Sequence, residues 1–312
     1  MYSKLVKVCF SLLCLCVCAK SLAFETGRSG YVISVGQGKT EYTLMSFFVL
    51  PEKTVDISVV KSGKALPFTI AQDAISEQVT SFKWKAPATP GMKTLVVQPK
   101  GELASTVQIF VMHPMAQVKN KKLNGYTIGE YPKEAYKGLD NYKPPVGFVE
   151  VTKANQDILV SPHYTLKQFL CKQSSGYPKY VVLQTRLLRK LEYITEAVNR
   201  EGIAMESFTI MSGYRTPFYN AAIKNKKYSR HQWGGAADVF VDENPKDGVM
   251  DDLNKDGKVN VDDAKFLWDM VEKFYREAPD YKHLIGGLGL YQANAAHGPF
   301  AHVDVRGYRA RW

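Results

Sequence analysis

The sequence contains a histidine and an aspartate whose spacing suits a metal ion. The small residues Gly234, Gly235 and Ala236 lie between His231 and Asp238, and a β-branched run that favours a strand follows. The small residues let the backbone come close to an ion, so a loop histidine and a strand aspartate can reach one cation. His302 lies in a second apolar run (300–305), which predicts a neighbouring strand. Two imidazoles and one carboxylate would bind tetrahedral zinc and leave one position open, as catalytic zinc requires.

Further short motifs occur in order around these residues. They are Ser161-Pro-His-Tyr-Thr-Leu166, Ser212-Gly-Tyr-Arg-Thr-Pro217, Gly286-Gly-Leu-Gly-Leu-Tyr291 and His302-Val-Asp-Val-Arg-Gly307. With the Ser-x-His-x-x-Gly-x-Ala-x-Asp pattern at 229–238, this series resembles the zinc D-alanyl-D-alanine carboxypeptidases and murein endopeptidases. Their catalytic fold is similar to that of hedgehog signalling domains. The resemblance covers residues 125–312. The alternative, that His231 and Asp238 form only a core hydrogen-bonded pair, would make the whole pattern a coincidence.

The resemblance implies a set of functional residues and a substrate. His231, Asp238 and His302 would bind zinc, and Arg215 would stabilise charge on the scissile carbonyl. The expected substrate contacts are Tyr214, Ser229 and Tyr291. The implied reaction is hydrolysis of peptidoglycan stem peptides or crosslinks that contain D-alanine or diaminopimelate, by endopeptidase or carboxypeptidase action.

One position departs from this family. Its members commonly have a glutamate or aspartate three residues before the last zinc ligand as general base, whereas this chain has Pro299. The candidates for the proton carrier are Asp304, then His297, then Tyr291. Asp304 has a second possible role, in which it orients a ligand or pairs with Arg306. The departure also leaves open a different function, that of a catalytically inactive zinc-containing module that binds peptidoglycan.

A second metal-binding pattern interrupts the C-terminal region at 243–265. Its glycine, Gly257, stands at position six of a twelve-residue loop, and the run after the loop (264–278) predicts an exit helix. The predicted calcium ligands are Asp252, Asn254, Asp256, Lys258, Asn260 and Asp263. The loop resembles an EF-hand and, more closely, the dockerin variant that also ends in aspartate. The alternative is a solvated acidic turn.

The pattern of strands and helices predicts a multidomain chain. Short β-rich runs between Tyr31 and Met112 suggest seven strands of an all-β, Ig-like sandwich, assigned to 24–115 as an accessory domain. Residues 116–153 are rich in Gly, Pro, Tyr and Lys and predict a connector. The resemblance assigns an α+β hedgehog-like zinc peptidase domain to 154–312. Within it we expect an amphipathic helix at 180–201, a strand at 205–211 and a short helix at 164–171.

The first 23 residues predict a cleaved export signal. Lys4 and Lys7 precede an apolar run of about a dozen residues, shorter than the roughly 20 that a membrane span needs, and small residues follow. The exported chain would begin near Phe24, without stable membrane insertion, most plausibly in a periplasm. Cys171 would be its sole cysteine, which excludes internal disulfides and suggests a buried packing residue.

The charge is compatible with a wall polymer. The formal net charge is +11, but the lysines are dispersed and no nucleic-acid recognition motif is present. A basic exported protein suits an anionic partner such as peptidoglycan, and we do not expect nucleic acid to be a partner. The sandwich has no cluster of His, Cys or carboxylates, so it would hold substrate, contact another wall enzyme or serve as structural support.

Overall fold

The computed structural model describes residues 24–71 and 75–312 of the 312-residue chain. The export signal predicted for residues 1–23 lies outside the described residues. The described part is rich in β-structure and has few helices. None of its helices has the length and apolar character needed to cross a membrane.

Two five-stranded sheets form the N-terminal part of the structure. Their strands are β1 (Arg28–Val35), β2 (Gly38–Tyr42), β3 (Leu44–Val49), β4 (Thr54–Lys61), β5 (Lys64–Ala65), β6 (Phe68–Ile70), β7 (Ile75–Val79), β8 (Ser81–Lys85), β9 (Gly91–Pro99) and β10 (Ser105–Val111). One sheet has the order β2-β1-β4-β5 with β8 also paired to β4, and the other has the order β3-β10-β9-β6-β7. Alternate residues such as Ile33 and Val35 in β1, and Val107 and Ile109 in β10, are buried, as expected for strands with one face on a core.

The strands are more numerous than the seven predicted runs. The run at 42–50, expected to be one strand, is divided: β2 ends at Tyr42 in one sheet and β3 begins at Leu44 in the other. The run at 79–86 is divided in the same way between β7 and β8. An apolar run shows where strands form, but it does not show where the chain passes from one sheet to the other.

The C-terminal part combines short strands with three α-helices. The strands are β11 (His113–Pro114), β12 (Lys122–Leu123), β13 (Tyr126–Thr127), β14 (Gly147–Val151), β15 (Leu159–Ser161), β16 (Tyr164–Thr165), β17 (Lys179–Val181), β18 (Thr209–Ser212), β19 (Ala236–Phe240), β20 (Gly287–Tyr291), β21 (Phe300–Asp304) and β22 (Ala310–Arg311). The helices are α1 (Thr185–Arg200), α2 (Pro217–Ala222) and α3 (Val261–Glu277). Short 3-10 turns occur at Met115–Gln117, Tyr136–Gly138, Asp140–Tyr142, Leu166–Phe169, Arg230–Trp233 and Pro279–Leu284. A five-stranded sheet of order β18-β19-β21-β20-β22 lies against α3, which in turn contacts α1.

The predicted helices are confirmed in two cases and wrong in one. In α1 the apolar residues that predicted it, including Leu187, Leu191 and Val198, are buried, although the helix begins only at Thr185 because 179–181 form β17. The exit helix after the acidic loop is α3, capped at its start by Asn260. The helix expected at 164–171 is instead β16 and a 3-10 turn. The strand expected at 205–211 begins later, as β18. Cys171 is buried, as predicted.

Helix α1 connects the N-terminal sheets with the C-terminal sheet. On one side, Glu196 accepts hydrogen bonds from the Tyr42 hydroxyl at 2.6 Å and from Arg28 Nε at 2.7 Å. Arg189 donates to Glu41 Oε2 of β2 at 3.0 Å. From the same helix, the fully buried Lys190 donates to the backbone carbonyl of Asp304 in β21 at 2.6 Å. The helix therefore contacts an N-terminal sheet and the sheet that carries His302 and Asp238.

Candidate metal centre

Three predicted ligands converge where two central strands meet a 3-10 turn. Asp238 of β19 and His302 of β21 are paired residues in the antiparallel ladder, so their side chains leave the sheet on the same face. His231 comes from the 3-10 turn Arg230–Trp233, which leads into β19 through Gly234. One ligand atom from each residue lies within 4.8 Å of the others, and all three side chains are buried. Within 24–71 and 75–312 this is the one such group of three His, Cys or carboxylate ligands.

The distances between the ligand atoms suit zinc. His231 Nε2 lies 3.2 Å from Asp238 Oδ1 and 3.3 Å from His302 Nδ1, and the latter lies 2.8 Å from the same carboxylate oxygen. Zinc bonds of about 2.0–2.1 Å in a tetrahedron place neighbouring ligand atoms roughly 3.3 Å apart. The arrangement therefore needs little adjustment to enclose an ion.

The outer nitrogens of the two imidazoles fix their tautomers. His231 Nδ1 lies 2.7 Å from the Gly213 carbonyl and His302 Nε2 lies 3.2 Å from Asp304 Oδ2. Both partners only accept, so both outer nitrogens carry hydrogen. In the neutral rings, the inner nitrogens then point lone pairs at Asp238 Oδ1, which is itself an acceptor. A cation between these acceptors, either a metal ion or a proton, would satisfy them.

A proton is the simplest alternative to a metal ion between the two inner nitrogens and Asp238 Oδ1. Burial lowers the pKa of His231, which favours its neutral form. Burial also lowers the pKa of His302, but hydrogen bonds to Asp238 and Asp304 outweigh it and raise that pKa. A proton on His302 would still leave the lone pair of His231 facing the carboxylate, whereas a divalent ion satisfies all three ligands.

Asp304 is held beneath His302 by several donors. It is fully buried and accepts from Gly287 N at 2.8 Å, Arg306 N at 2.9 Å and Arg306 Nε at 2.8 Å. Burial would raise its pKa, but the hydrogen bonds from His302 and Arg306 hold the pKa well below its usual range. The pairing with Arg306, one of the two roles considered for this aspartate, is thus present in the structure.

Arg215 lies beside the ligands. Its Nη2 donates at 2.5 Å to Asp238 Oδ2, the carboxylate oxygen not shared by the histidines, and its Nε donates to Ser212 Oγ at 2.8 Å. Burial would raise the pKa of Asp238, but His231 and His302 lower it far more, so the carboxylate is charged. The site therefore combines an anionic ligand with a fixed guanidinium at its edge.

A cavity of about 760 Å³ opens over the three ligands. Ser229, Tyr291 and His297, all predicted to serve the site, line it together with Arg215. Tyr214 does not belong to this wall: it is 1% exposed and its hydroxyl lies 3.0 Å from that of Tyr131. Its prediction as a substrate contact is wrong, because the motif gives the order of residues but not the side to which each side chain turns.

His297 is an accessible titratable group in this cavity. Its ring packs edge-on against Phe300 at 4.9 Å between centroids. Nδ1 lies 2.8 Å from the Gly298 carbonyl and so carries hydrogen, which leaves Nε2 as an acceptor for the Asn294 amide at 2.8 Å. Tyr291, by contrast, is stacked on Phe300 at 4.5 Å and its hydroxyl receives a hydrogen bond from Trp312 Nε1 at 2.8 Å.

Sequence reasoning missed Trp312 as part of the site. Its indole lines the cavity with its centroid 5.2 Å from that of His302. The ring lies over Gly289, where an added Cβ would come within 2.5 Å of the indole. The alternating glycines of β20 were the available signal, since glycine within a strand often marks a close approach of another group.

The acidic loop is closed through its own backbone. Asp252 accepts from Gly257 N at 2.8 Å, and Gly257 adopts a left-handed φ of 82°. Asp256 accepts from Lys258 N at 2.9 Å, and the buried Asp263 accepts from Leu253 N at 2.8 Å. The three aspartates do not form a compact ligand group like that at His231. Asn254 and Asn260 also accept from loop amides, at 2.9 and 2.6 Å.

No protein-family model, curated protein or solved structure matches this chain. Its function is therefore inferred from the geometry of the site and from the motifs around it.

Proposed function

We propose that this chain is an exported, zinc-dependent peptidase that hydrolyses peptidoglycan stem peptides or crosslinks. The observation that carries the proposal is the convergence of two imidazole lone pairs and the Asp238 carboxylate at the floor of a cavity. The donor set of His231, Asp238 and His302 fits zinc and leaves room for a fourth ligand on the cavity side. Bound zinc would polarise a peptide carbonyl and lower the pKa of a coordinated water.

The surrounding residues supply orientation and charge. Gly213 and Asp304 hold the two histidine rings through their outer nitrogens. Arg215 presents a guanidinium beside Asp238, where it would stabilise negative charge that develops on the substrate carbonyl oxygen. Hydrolysis also needs a group that accepts and returns a proton.

His297 is the proton carrier that the geometry favours. Asp304 is buried beneath His302 with its oxygens engaged by Arg306 and Gly287, and so does not face the cavity. The Tyr291 hydroxyl is engaged by a hydrogen bond from Trp312 Nε1. His297 lines the cavity. Its Nε2 accepts a hydrogen bond from the Asn294 amide, and it would give up only that bond to contact the substrate or a water molecule. It would take the role of the family's acidic residue. The sequence position of that acidic residue is Pro299 in this chain.

Sequence features support the substrate and location. The ordered motifs from 161 to 307 resemble those of murein peptidases, and the basic charge suits an anionic polymer. The N-terminal export pattern supports a location outside the cytoplasm, which we propose to be a periplasm, without stable membrane insertion. The N-terminal sheets, proposed to be an Ig-like accessory sandwich, offer a surface for a wall-enzyme partner.

Pro299 favours one alternative function. If no other residue replaces the acid that the family has three residues before His302, the chain would be a zinc-containing module that binds peptidoglycan without cleaving it. The two functions share the metal and the cavity and differ only in whether bonds are broken.

Mass spectrometry of purified peptidoglycan incubated with the zinc-loaded protein separates them. We expect fragments with the wild type, whose masses identify the bond, and none with Asp238→Ala, which removes a zinc ligand. Asp157→Ala, which alters an exposed aspartate, serves as the matched control. Peptidoglycan binding without fragments, at full zinc occupancy, would establish the binding module instead.

We further propose that the loop 252–263 binds calcium. Its residues supply carboxylate and amide oxygens in EF-hand order, and its exit helix α3 contacts β20 and β21. Calcium would then stabilise the domain by mass action. The melting temperature of the zinc-loaded protein should rise with calcium but not with equal magnesium, and the rise should vanish in Asp252→Asn/Asp256→Asn. A calcium response equal in both proteins would rule the loop out.

A further inference from the structure

Positively charged side chains outnumber negatively charged ones on the wall of the cavity. Of its described lining residues, six are lysine or arginine, whereas Asp238 is the one carboxylate. The six are Lys172, Arg215, Lys226, Lys227, Arg230 and Arg306. Two of them are already neutralised by partners, since Arg215 pairs with Asp238 and Arg306 pairs with Asp304. The remaining positive charge is concentrated on the side formed by 226–230.

Arg230 carries a buried charge that no described carboxylate contacts within 4.0 Å. It is 2% exposed, and its Nη1 donates to the Asn141 carbonyl at 2.6 Å. Its Nε and Nη2 have no hydrogen-bond partner within the described parts of the chain. The guanidinium lies 4.3 Å from the centroid of Tyr142, and no carboxylate of the described residues pairs with it. A buried cation without a carboxylate is costly, and its field extends to the cavity that it lines.

Lys226 and Lys227 add two accessible charges to the same side. Both are exposed and line the cavity, and neither takes part in an ion pair with another described residue. Lys227 Nζ lies 5.4 Å from the ring centroid of Tyr228, and that ring packs at 5.1 Å on Tyr136. The lysines therefore extend from an aromatic wall beside the buried guanidinium.

We propose that the side of the cavity formed by 226–230 binds a carboxylate of the peptide substrate at a point separate from the scissile bond. Lys226 and Lys227 make the direct contacts, and Arg230 contributes through its field. The inference rests on the proposed peptidase function, since it assigns a second anchor to the same substrate. It implies that the protein distinguishes stem peptides by their free carboxylates and that amidation of the anchored carboxyl weakens binding.

The test compares two tripeptides, L-Ala-γ-D-Glu-diaminopimelate and the same peptide with the Glu α-carboxyl amidated. Binding to the zinc-loaded protein is measured by isothermal titration calorimetry at low and high salt. We expect the free acid to bind about tenfold more tightly at low salt, the value for two charge pairs at a solvated rim, and the preference to shrink with salt.

Lys226→Gln/Lys227→Gln should abolish this preference, and Lys224→Gln, a neighbouring lysine outside the cavity wall, should retain it. Arg230→Gln should reduce it if the variant folds, but the lysine pair carries the test. Equal affinities for the two peptides, a preference that survives in the double variant, or no binding of either peptide would overturn the inference. Equal affinities or a preference that survives in the double variant would overturn this inference alone and leave the proposed peptidase function standing, whereas no binding of either peptide would overturn both.

Discussion

Asp238 and His302 are directly paired across the β19–β21 ladder, and Asp238 Oδ1 lies 2.8 Å from His302 Nδ1. Paired residues in an antiparallel ladder project to the same face, so strand register alone brings two of the three ligands together. A slip of one residue would turn His302 to the opposite face. Two of the three residues of the candidate metal centre are thus brought together by the hydrogen bonding of the sheet, and only His231 depends on a loop.

Replacing Asp304 distinguishes positioning from proton transfer. Asp304→Asn should weaken zinc binding by roughly 10–100-fold, as for other partners of metal-bound histidines, because His302 loses its carboxylate acceptor. A competition titration with a chelator measures this. If Asp304 positions His302, excess zinc should restore most of the turnover; if it is the general base, turnover should stay low at full zinc occupancy.

Replacing His297 should lower turnover without removing zinc. His297→Ala is expected to reduce kcat by about 10²–10⁴-fold, the range for loss of a general acid or base. Zinc content, measured by elemental analysis, should be unchanged because His297 is not among the three ligands. Asn294→Ala, which removes the residue that donates to the ring, is the control and should have a much smaller effect. A His297→Ala protein with normal kcat would exclude this role.

Lys190 should make stability depend on pH. Burial lowers its pKa to about 7, whereas an unfolded lysine titrates near 10.4. Between these values the unfolded chain holds more protons, so the free energy of unfolding should rise with pH across this window and fall as pH drops towards 7. Urea denaturation of the wild type and of Lys190→Met should be measured between pH 6 and about pH 9. The free energy of unfolding of the wild type, relative to that of the variant, should rise with pH. A difference independent of pH would contradict the burial of this charge.

The ion pair between α1 and β1 should contribute to stability. Glu196→Ala removes the acceptor of the Tyr42 hydroxyl and of Arg28 Nε and Nη2, and leaves Arg28 with its 3.5 Å pair to Glu41. We expect a loss of roughly 3 kcal/mol in the free energy of unfolding, the lower end for buried pairs because Arg28 is partly exposed. Asp56→Ala, which breaks an exposed pair with Lys83, should cost less than about 1 kcal/mol. Equal losses would show that α1 does not depend on this contact.

The sequence was most informative where chemistry requires a fixed spacing. His231, Asp238 and His302 were predicted to meet because their residue types and flanking runs suit ligands on neighbouring strands, and the structure brings them together. The passage from β2 at Tyr42 to β3 at Leu44 was not predictable, because the run 42–50 is apolar on both sides of Thr43.

Contacts formed only by tertiary folding were also missed. Tyr214 lies within a motif yet turns into the core, and Arg230 occupies an unspecified position of the pattern at 229–238. Whether a side chain faces a cavity depends on packing partners distant in the chain, such as Asn141 for Arg230, and no local pattern records them.

Helix α1 contacts an N-terminal sheet through Glu196 and the sheet that carries Asp238 and His302 through Lys190. It therefore packs in the cores of both the N-terminal and the C-terminal regions. Unfolding either core would expose one side of this helix and remove support from the other. The two regions should therefore melt in a single cooperative transition, and slow hydrogen exchange should extend along α1 into β2 and β21 together. The N-terminal sheets joined in this way are part of the scaffold that positions Asp238 and His302.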